Sequence, residues 1–261
     1  MEKTMKNEAL YDQSIERLDE INENLSLIQR KNGLTFGTDA YILSAFARAC
    51  PRGVAADLGC GTGVISLLCA SKGKFAKVFG VELQEEFVSL SRRNVALNGL
   101  ENKVEIVGKS VTELKSVDLG QEVDAVLMNP PYMKAESGKS NDFDEKNIAR
   151  REVCGTIYDF CAAAGRILKF GGALYVVHRP ERLIDLTDAM RKAGIEPKKI
   201  VFVHSDVTKE PSLILVEGKK GAASDVIITR PLVIYKSGTR EYTDDMERIY
   251  SDFTLSHIAE R

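Results

Sequence analysis

From Gly53 to Glu217, short apolar runs of strand length alternate with segments whose apolar residues recur at helical spacing. This alternation constrains the fold more than any other feature. Strands joined through helices build a parallel sheet covered on both faces, and ligands bind outside the carboxyl ends of its strands. The pattern predicts strands over 53–58, 76–82, 103–107, 123–128, 172–178, 199–204 and 212–217. It predicts helices over 62–72, 84–98, 110–115 and 147–169. The last helix carries Val153, Ile157, Phe160, Cys161, Ala164, Ile167 and Leu168 on one stripe, and Gly171-Gly172 is expected to end it. The expected fold class is therefore α/β: a Rossmann-like, seven-stranded, mostly parallel sheet over residues 53–237, with helices on both faces.

Residues 1–52 read as an extension packed on that core. The opening 24 residues are charged and predict a helix. Leu25 to Gln29 and Leu34-Thr35-Phe36 predict a hairpin that turns at Asn32-Gly33. Thr38 or Asp39 is placed to cap a helix bearing Ile42, Leu43, Phe46 and Ala47. Residues 238–261 read as an acidic tail. The polar stretch Lys134–Lys146 is long for a connection and is a candidate lid.

Two turns at the strand ends carry chemistry. In Asp57-Leu58-Gly59-Cys60-Gly61-Thr62-Gly63 the glycines allow a tight turn and close approach to a ligand, and the helix that follows aims free N–H groups at it. The dinucleotide fingerprint needs a glycine at position 64, which is Val64. An acid at Asp57 suits a positively charged ligand better than a pyrophosphate. S-adenosylmethionine carries a sulfonium and an ammonium. Glu82 ends the next strand, where an acid accepts hydrogen bonds from ribose hydroxyls. On the following strand Gly108-Lys109-Ser110 offers no acid for the adenine ring, so Ser110 or backbone groups are expected there.

The second turn is Asn129-Pro130-Pro131-Tyr132, after the apolar run Val123–Met128. An exocyclic aromatic amine is a weak nucleophile because its lone pair is delocalised into the ring. The Asn129 side-chain carbonyl and the Pro130 backbone carbonyl supply two acceptors for its hydrogens. Pro131 keeps the preceding residue extended, and Tyr132 offers a flat face for a displaced base. Such chemistry rests on electrostatic preorganisation and proximity and needs no general base.

Composition excludes other classes. The five cysteines, Cys50, Cys60, Cys69, Cys154 and Cys161, include no C-x-x-C pair, and only His178, His204 and His257 accompany them, so no metal is expected. No apolar run reaches bilayer length, and the opening residues lack the apolar core of a signal peptide. The expectation is a cytoplasmic protein without membrane contact, a monomer or a weak dimer. The net charge is −2, but it is unevenly spread. Residues 1–24 carry seven acidic and three basic side chains and 238–261 carry six and three, which leaves 25–237 at +5. A mildly basic body permits nucleic-acid contact. Arg150-Arg151 and His178-Arg179-Pro180-Glu181-Arg182 are candidate contacts; a solvated helix face and a helix start are the alternatives.

With these motifs in hand, the chain resembles the bacterial tRNA adenine-N6 methyltransferases that modify the adenosine next to the anticodon of a valine tRNA. The resemblance runs from about Glu16 to Tyr250. It rests on Phe36-Gly37-Thr38-Asp39-Ala40, Asp57–Gly63, Gly80-Val81-Glu82-Leu83-Gln84 and Asn129–Tyr132. Ile148-Ala149-Arg150-Arg151-Glu152, Val177-His178-Arg179-Pro180 and Leu215–Gly221 add later signatures. It implies a class I methyltransferase fold, S-adenosylmethionine as cofactor and tRNA as substrate. By the same resemblance Phe36, Thr38, Asp57, Gly59, Gly61, Gly63, Glu82, Leu83, Ser110 and Asn129 serve the cofactor, and Asn129, Pro130 and Tyr132 serve the chemistry. Alternatives from the residues are a protein glutamine-N5 methyltransferase, which usually carries a larger helical domain before the cofactor loop, and a DNA adenine methyltransferase. A silent S-adenosylmethionine- or RNA-binding protein is a further alternative.

Overall fold

The computed structural model describes residues 11–32, 36–130 and 155–255. A nine-stranded sheet forms the centre, in the order β10-β8-β9-β7-β6-β3-β4-β5, with β11 also on β8. Seven of its strands are long: β3 (Cys50–Leu58), β4 (Phe75–Glu82), β5 (Val104–Gly108), β6 (Val123–Met128), β7 (Leu168–His178), β8 (Ile195–His204) and β9 (Pro211–Lys220). These are the seven expected from sequence. The two extra strands, β10 (Ile227–Ile228) and β11 (Leu232–Val233), are too short to leave a periodic signal. β9 runs antiparallel between β7 and β8, and the other pairings are parallel.

Alternation along the strands sorts side chains into two cores. Ala55, Val78, Leu127, Tyr175 and Val203 face α1 (Thr38–Phe46), α2 (Val64–Ser71), α3 (Glu85–Leu97) and α6 (Asp244–Asp252). Ala56, Phe79, Val126, Val176 and Val216 face α4 (Ile157–Ile167) and α5 (Leu183–Lys192). Chain order reverses at β3, which pairs with β4 on one side and β6 on the other. The crevice at the carboxyl ends of β3 and β6 is thus the topological switch point where open α/β sheets bind ligands.

Several boundaries depart from expectation. The predicted opening helix is instead, over Glu16–Asn22, strand β1, which pairs antiparallel with β2 (Leu25–Arg30) and turns at Glu23-Asn24. The hairpin predicted around Asn32-Gly33 lies in part, from Gly33 to Thr35, outside the described residues. Helix-forming residues lose in β1 to tertiary partners. Arg93 of α3 grips both oxygens of Glu16 at 2.8 and 2.7 Å. The free edge of β2 is met by side-chain amides of α3: Ile28 exchanges two hydrogen bonds with Asn94, and Ser26 two with Asn98.

Helix α4 ends at Ile167, and Leu168 already begins β7, so Gly171 lies inside the strand and does not end the helix. Thr156 caps α4 reciprocally with Asp159. The start predicted for that helix, 147–154, lies outside the described residues, as does the candidate lid. Residues 110–115 form a turn followed by a 3-10 helix over Ser116–Leu119, not an α-helix. Residues 238–255 are more than an acidic tail: α6 buries Met246 and Ile249, and Tyr250 and Phe253 pack on Tyr41 of α1. No helix of the described residues is long and apolar enough to cross a membrane.

Candidate active site

The glycine turn is fastened before any ligand arrives. Gly59 and Cys60 both donate their backbone N–H to the Val81 carbonyl, at 2.8 and 3.1 Å, which pins the turn to β4. Gly59, Gly61 and Gly63 have φ of 71°, 53° and 82°, the left-handed region that glycine adopts without strain. A Cβ at Gly59 would stand 3.2 Å from the Phe160 ring, and one at Gly63 3.3 Å from Ser91. At Gly61 a Cβ would meet nothing within 4 Å, because that side of the turn opens into a cavity.

Two carboxylates stand at this corner. Asp57 is buried; one oxygen accepts from the Ser66 N–H and hydroxyl at 3.1 and 2.8 Å. Its other oxygen, Oδ1, has no hydrogen-bond partner among the described residues. Burial raises its pKa to about 7, opposed by the Ser66 hydrogen bonds and reinforced by the nearby Glu82 charge. A buried acceptor in that state favours a cationic or hydrogen-donating ligand. Glu82 is also buried and accepts three backbone N–H groups, from Gly61 at 3.0 Å and from Leu83 and Gln84 at 2.9 Å each. It ties the glycine turn to the start of α3. Burial pushes the Cys60 thiol between them upward, so it is no thiolate nucleophile.

Across the cavity, Asn129 follows β6, whose Val126, Leu127 and Met128 are fully buried between β3 and β7. Its side-chain Nδ2 donates to Asp39 Oδ2 at 3.0 Å. A carboxylate oxygen accepts and does not donate, so this contact assigns the amide: Nδ2 faces α1 and Oδ1 is the end left to accept. Nearby, His178 is buried and accepts the Arg179 N–H on Nδ1 at 2.8 Å, and burial lowers its pKa to about 4. It remains a neutral ring at neutral pH.

The cavity, about 230 Å³, brings together the predicted Phe36, Gly59, Gly61, Glu82, Leu83 and Asn129. Asp57 and Gly63 lie behind that wall and support it. Thr38, Ser110 and Pro130 do not line it. Thr38 accepts the Tyr250 hydroxyl at 3.4 Å, and Ser110 pairs with Thr112 at 2.7 Å. Tyr132 lies outside the described residues. The position without an acid is filled by Lys109, whose ammonium pairs with Asp118 at 2.5 Å while its backbone N–H bonds the Glu82 carbonyl. Sequence reading missed Phe87, Val111 and Phe160, which give the cavity its apolar wall, and the Asp39 contact. Among the described residues no His, Cys, Asp and Glu cluster is built to hold a metal ion.

An acid-lined glycine turn, a ribose-suited Glu82 and an apolar slot fit S-adenosylmethionine. The methyltransferase small domain model matches residues 30–193, more than half of the chain. The chain belongs to the methyltransferase small domain family. Relatives of this methyltransferase include a tRNA1(Val) (adenine(37)-N6)-methyltransferase of Porphyromonas gingivalis, 26% identical over 82% of this chain and 88% of that protein. A protein of the same name in Aliivibrio salmonicida is 28% identical over 75% and 88%. Among solved structures, a predicted O-methyltransferase from Agrobacterium tumefaciens superposes with a TM-score of 0.67 at 20% identity, covering 83% of this chain and 96% of that one. TYW2 of Methanocaldococcus jannaschii, solved with AdoMet, gives 0.54 at 15% identity, covering 80% and 87%. These likenesses establish the class I methyltransferase fold.

Proposed function

We propose that the protein methylates N6 of an adenosine in a tRNA anticodon loop, at position 37 of a valine tRNA, with S-adenosylmethionine as methyl donor. The observation that carries this reading is the Asn129 amide, held with Nδ2 on Asp39 so that Oδ1 is presented as an acceptor at the cavity wall. The likeness over most of the chain to relatives named for that reaction supports the choice of substrate, as does the +5 charge of residues 25–237.

Each residue then has a task. Asp57 favours the donor's positive charge, Glu82 takes the ribose hydroxyls, and Gly59, Gly61 and Gly63 keep the turn open to the ligand. Phe36, Leu83, Phe87 and Val111 line the cavity and would hold the cofactor's adenine. Bound there, S-adenosylmethionine would supply an electrophilic methyl group to N6, its sulfur retaining the electron pair. Asn129 Oδ1 and the Pro130 carbonyl accept hydrogen bonds from the two N6 hydrogens, which localises the lone pair and turns it toward the methyl group. Tyr132 stacks on the target base. One N6 proton leaves to solvent after transfer, so no side-chain base is required. Labelled S-adenosylmethionine offered to total tRNA, duplex DNA and release-factor protein tests the reading. Label is expected in tRNA; label in protein and not in tRNA would transfer the assignment to glutamine methylation.

A further inference from the structure

The Asp39–Asn129 hydrogen bond joins two residues 90 positions apart in the chain, and everything around Asp39 keeps it in place. Helix α1 is a rigid mount: its residues from Ala40 to Phe46 are all buried. At its carboxyl end Lys74 donates to the Ser44 and Ala47 carbonyls, at 2.5 and 2.7 Å. On its flank Tyr41 packs on Tyr250 and Phe253 at ring distances of 4.8 and 5.9 Å. Asp39 sits in the first turn, where the helix dipole favours a negative charge, and its Oδ1 accepts the Ala40 N–H at 2.9 Å. The preceding Gly37 has ordinary extended backbone, φ −112°, so no backbone conformation demands glycine there. A Cβ on Gly37 would stand 2.9 Å from Asp39 Oδ1, the far end of a flexible side chain, and would push the carboxylate aside. Gly37 makes room for the carboxylate.

We infer that Asp39 is the positioning residue for Asn129. Without it the Asn129 amide can rotate by half a turn and present Nδ2, a donor, to an amine whose hydrogens need an acceptor. With it, Oδ1 is the presented end. The carboxylate also polarises the amide, which strengthens Oδ1 as an acceptor when positive charge develops on the attacking nitrogen. Asp39 touches neither substrate nor cofactor in this scheme and acts through Asn129. The inference rests on the adenine-N6 reading above.

Three variants test it. Asp39→Ala should lower kcat on the order of 10- to 100-fold, the usual loss when the partner that orients a reacting group is removed, with S-adenosylmethionine Kd and tRNA KM within about twofold. Asp39→Asn keeps one of the two acceptor oxygens but loses the charge, and should fall between Asp39→Ala and wild type. Gly37→Ala alters neither partner but crowds the carboxylate, and should lower kcat in the same direction at an unchanged unfolding midpoint. In an Asn129→Ala background, Asp39→Ala should have no further effect, since the two act as one unit.

A readout independent of turnover is the Asn129 side-chain amide in the proton–nitrogen spectrum of the free protein, assigned by its disappearance in Asn129→Ala. Its bonded proton should move upfield in Asp39→Ala. An unmoved amide resonance, kcat within threefold of wild type, or an equal loss in the Asn129→Ala background would each overturn the inference. Wild-type protein inactive on tRNA would instead sink the functional reading, and the amide resonance would still test the contact.

Discussion

Replacing Glu82 with alanine should separate cofactor binding from folding, because this carboxylate has two sets of partners. In the free protein it accepts the N–H groups of Gly61, Leu83 and Gln84 at 2.9–3.0 Å. In the complex it is proposed to accept two ribose hydroxyls, one on its free lone pair and one in place of a backbone N–H, since a carboxylate offers about four acceptor sites. Hydrogen bonds to charged acceptors are worth about 1.5–3 kcal/mol each. Water entering the truncated site compensates part of the loss, so the net cost for the cofactor should be about 2–3 kcal/mol. That corresponds to roughly a 30- to 150-fold rise in Kd. The three freed N–H groups border the cavity and can reach water, which limits the folding penalty to about 1–3 kcal/mol. Glu82→Gln retains one acceptor oxygen and should fall between. Titration calorimetry with S-adenosylmethionine, alongside thermal unfolding, measures both quantities. A folded Glu82→Ala variant with unchanged affinity would refute the ribose assignment, and one with unchanged stability would refute the clamp on the glycine turn.

Three further outcomes are expected. Asn129→Ala should leave S-adenosylmethionine affinity nearly intact and lower single-turnover methyl transfer on the order of 10²–10³-fold; near-normal turnover would dismiss the lone-pair argument. Asp57, with its pKa raised from 3.8 to about 7, binds a proton in the folded state that the unfolded chain has released, so its contribution to stability is present below about pH 4 and is lost as pH rises through 7. A cationic cofactor favours the ionised form, hence its affinity should rise from pH 5 to 8 with proton release, and Asp57→Asn should flatten that profile in calorimetry. Asn94→Leu removes three hydrogen bonds, two to the Ile28 backbone and one to the Thr62 carbonyl. It should cost about 3–4 kcal/mol in denaturant unfolding; a loss under 1 kcal/mol would mean that the hairpin does not depend on α3.

What was legible in the sequence is what local chemistry dictates. The glycines of the Asp57–Gly63 turn announce themselves because positive φ needs glycine, and Glu82 because it ends an apolar run. The seven long strands follow from apolar runs of the right length. The residues that escaped reach the site through tertiary packing. Phe160 reads as one member of a core stripe on α4, yet its ring closes the cavity beside Gly59. Asp39 reads as a helix cap, and nothing in its neighbourhood foretells a partner 90 residues away. Strand β1 was hidden by helix-forming Glu and Arg residues, whose preference is overridden by pairing with β2 and by the Arg93–Glu16 grip.

The central claim is that this methyltransferase places a methyl group on N6 of one anticodon-loop adenosine. The direct measurement is nucleoside and fragment mass spectrometry of tRNA from a strain lacking the gene, incubated with S-adenosylmethionine and either wild-type or Asn129→Ala protein. The account predicts N6-methyladenosine in the valine tRNA fragment that holds position 37, formed by the wild-type protein and nearly absent with the variant. Methyl groups on another atom, on another nucleotide, or at equal levels with Asn129→Ala would contradict it.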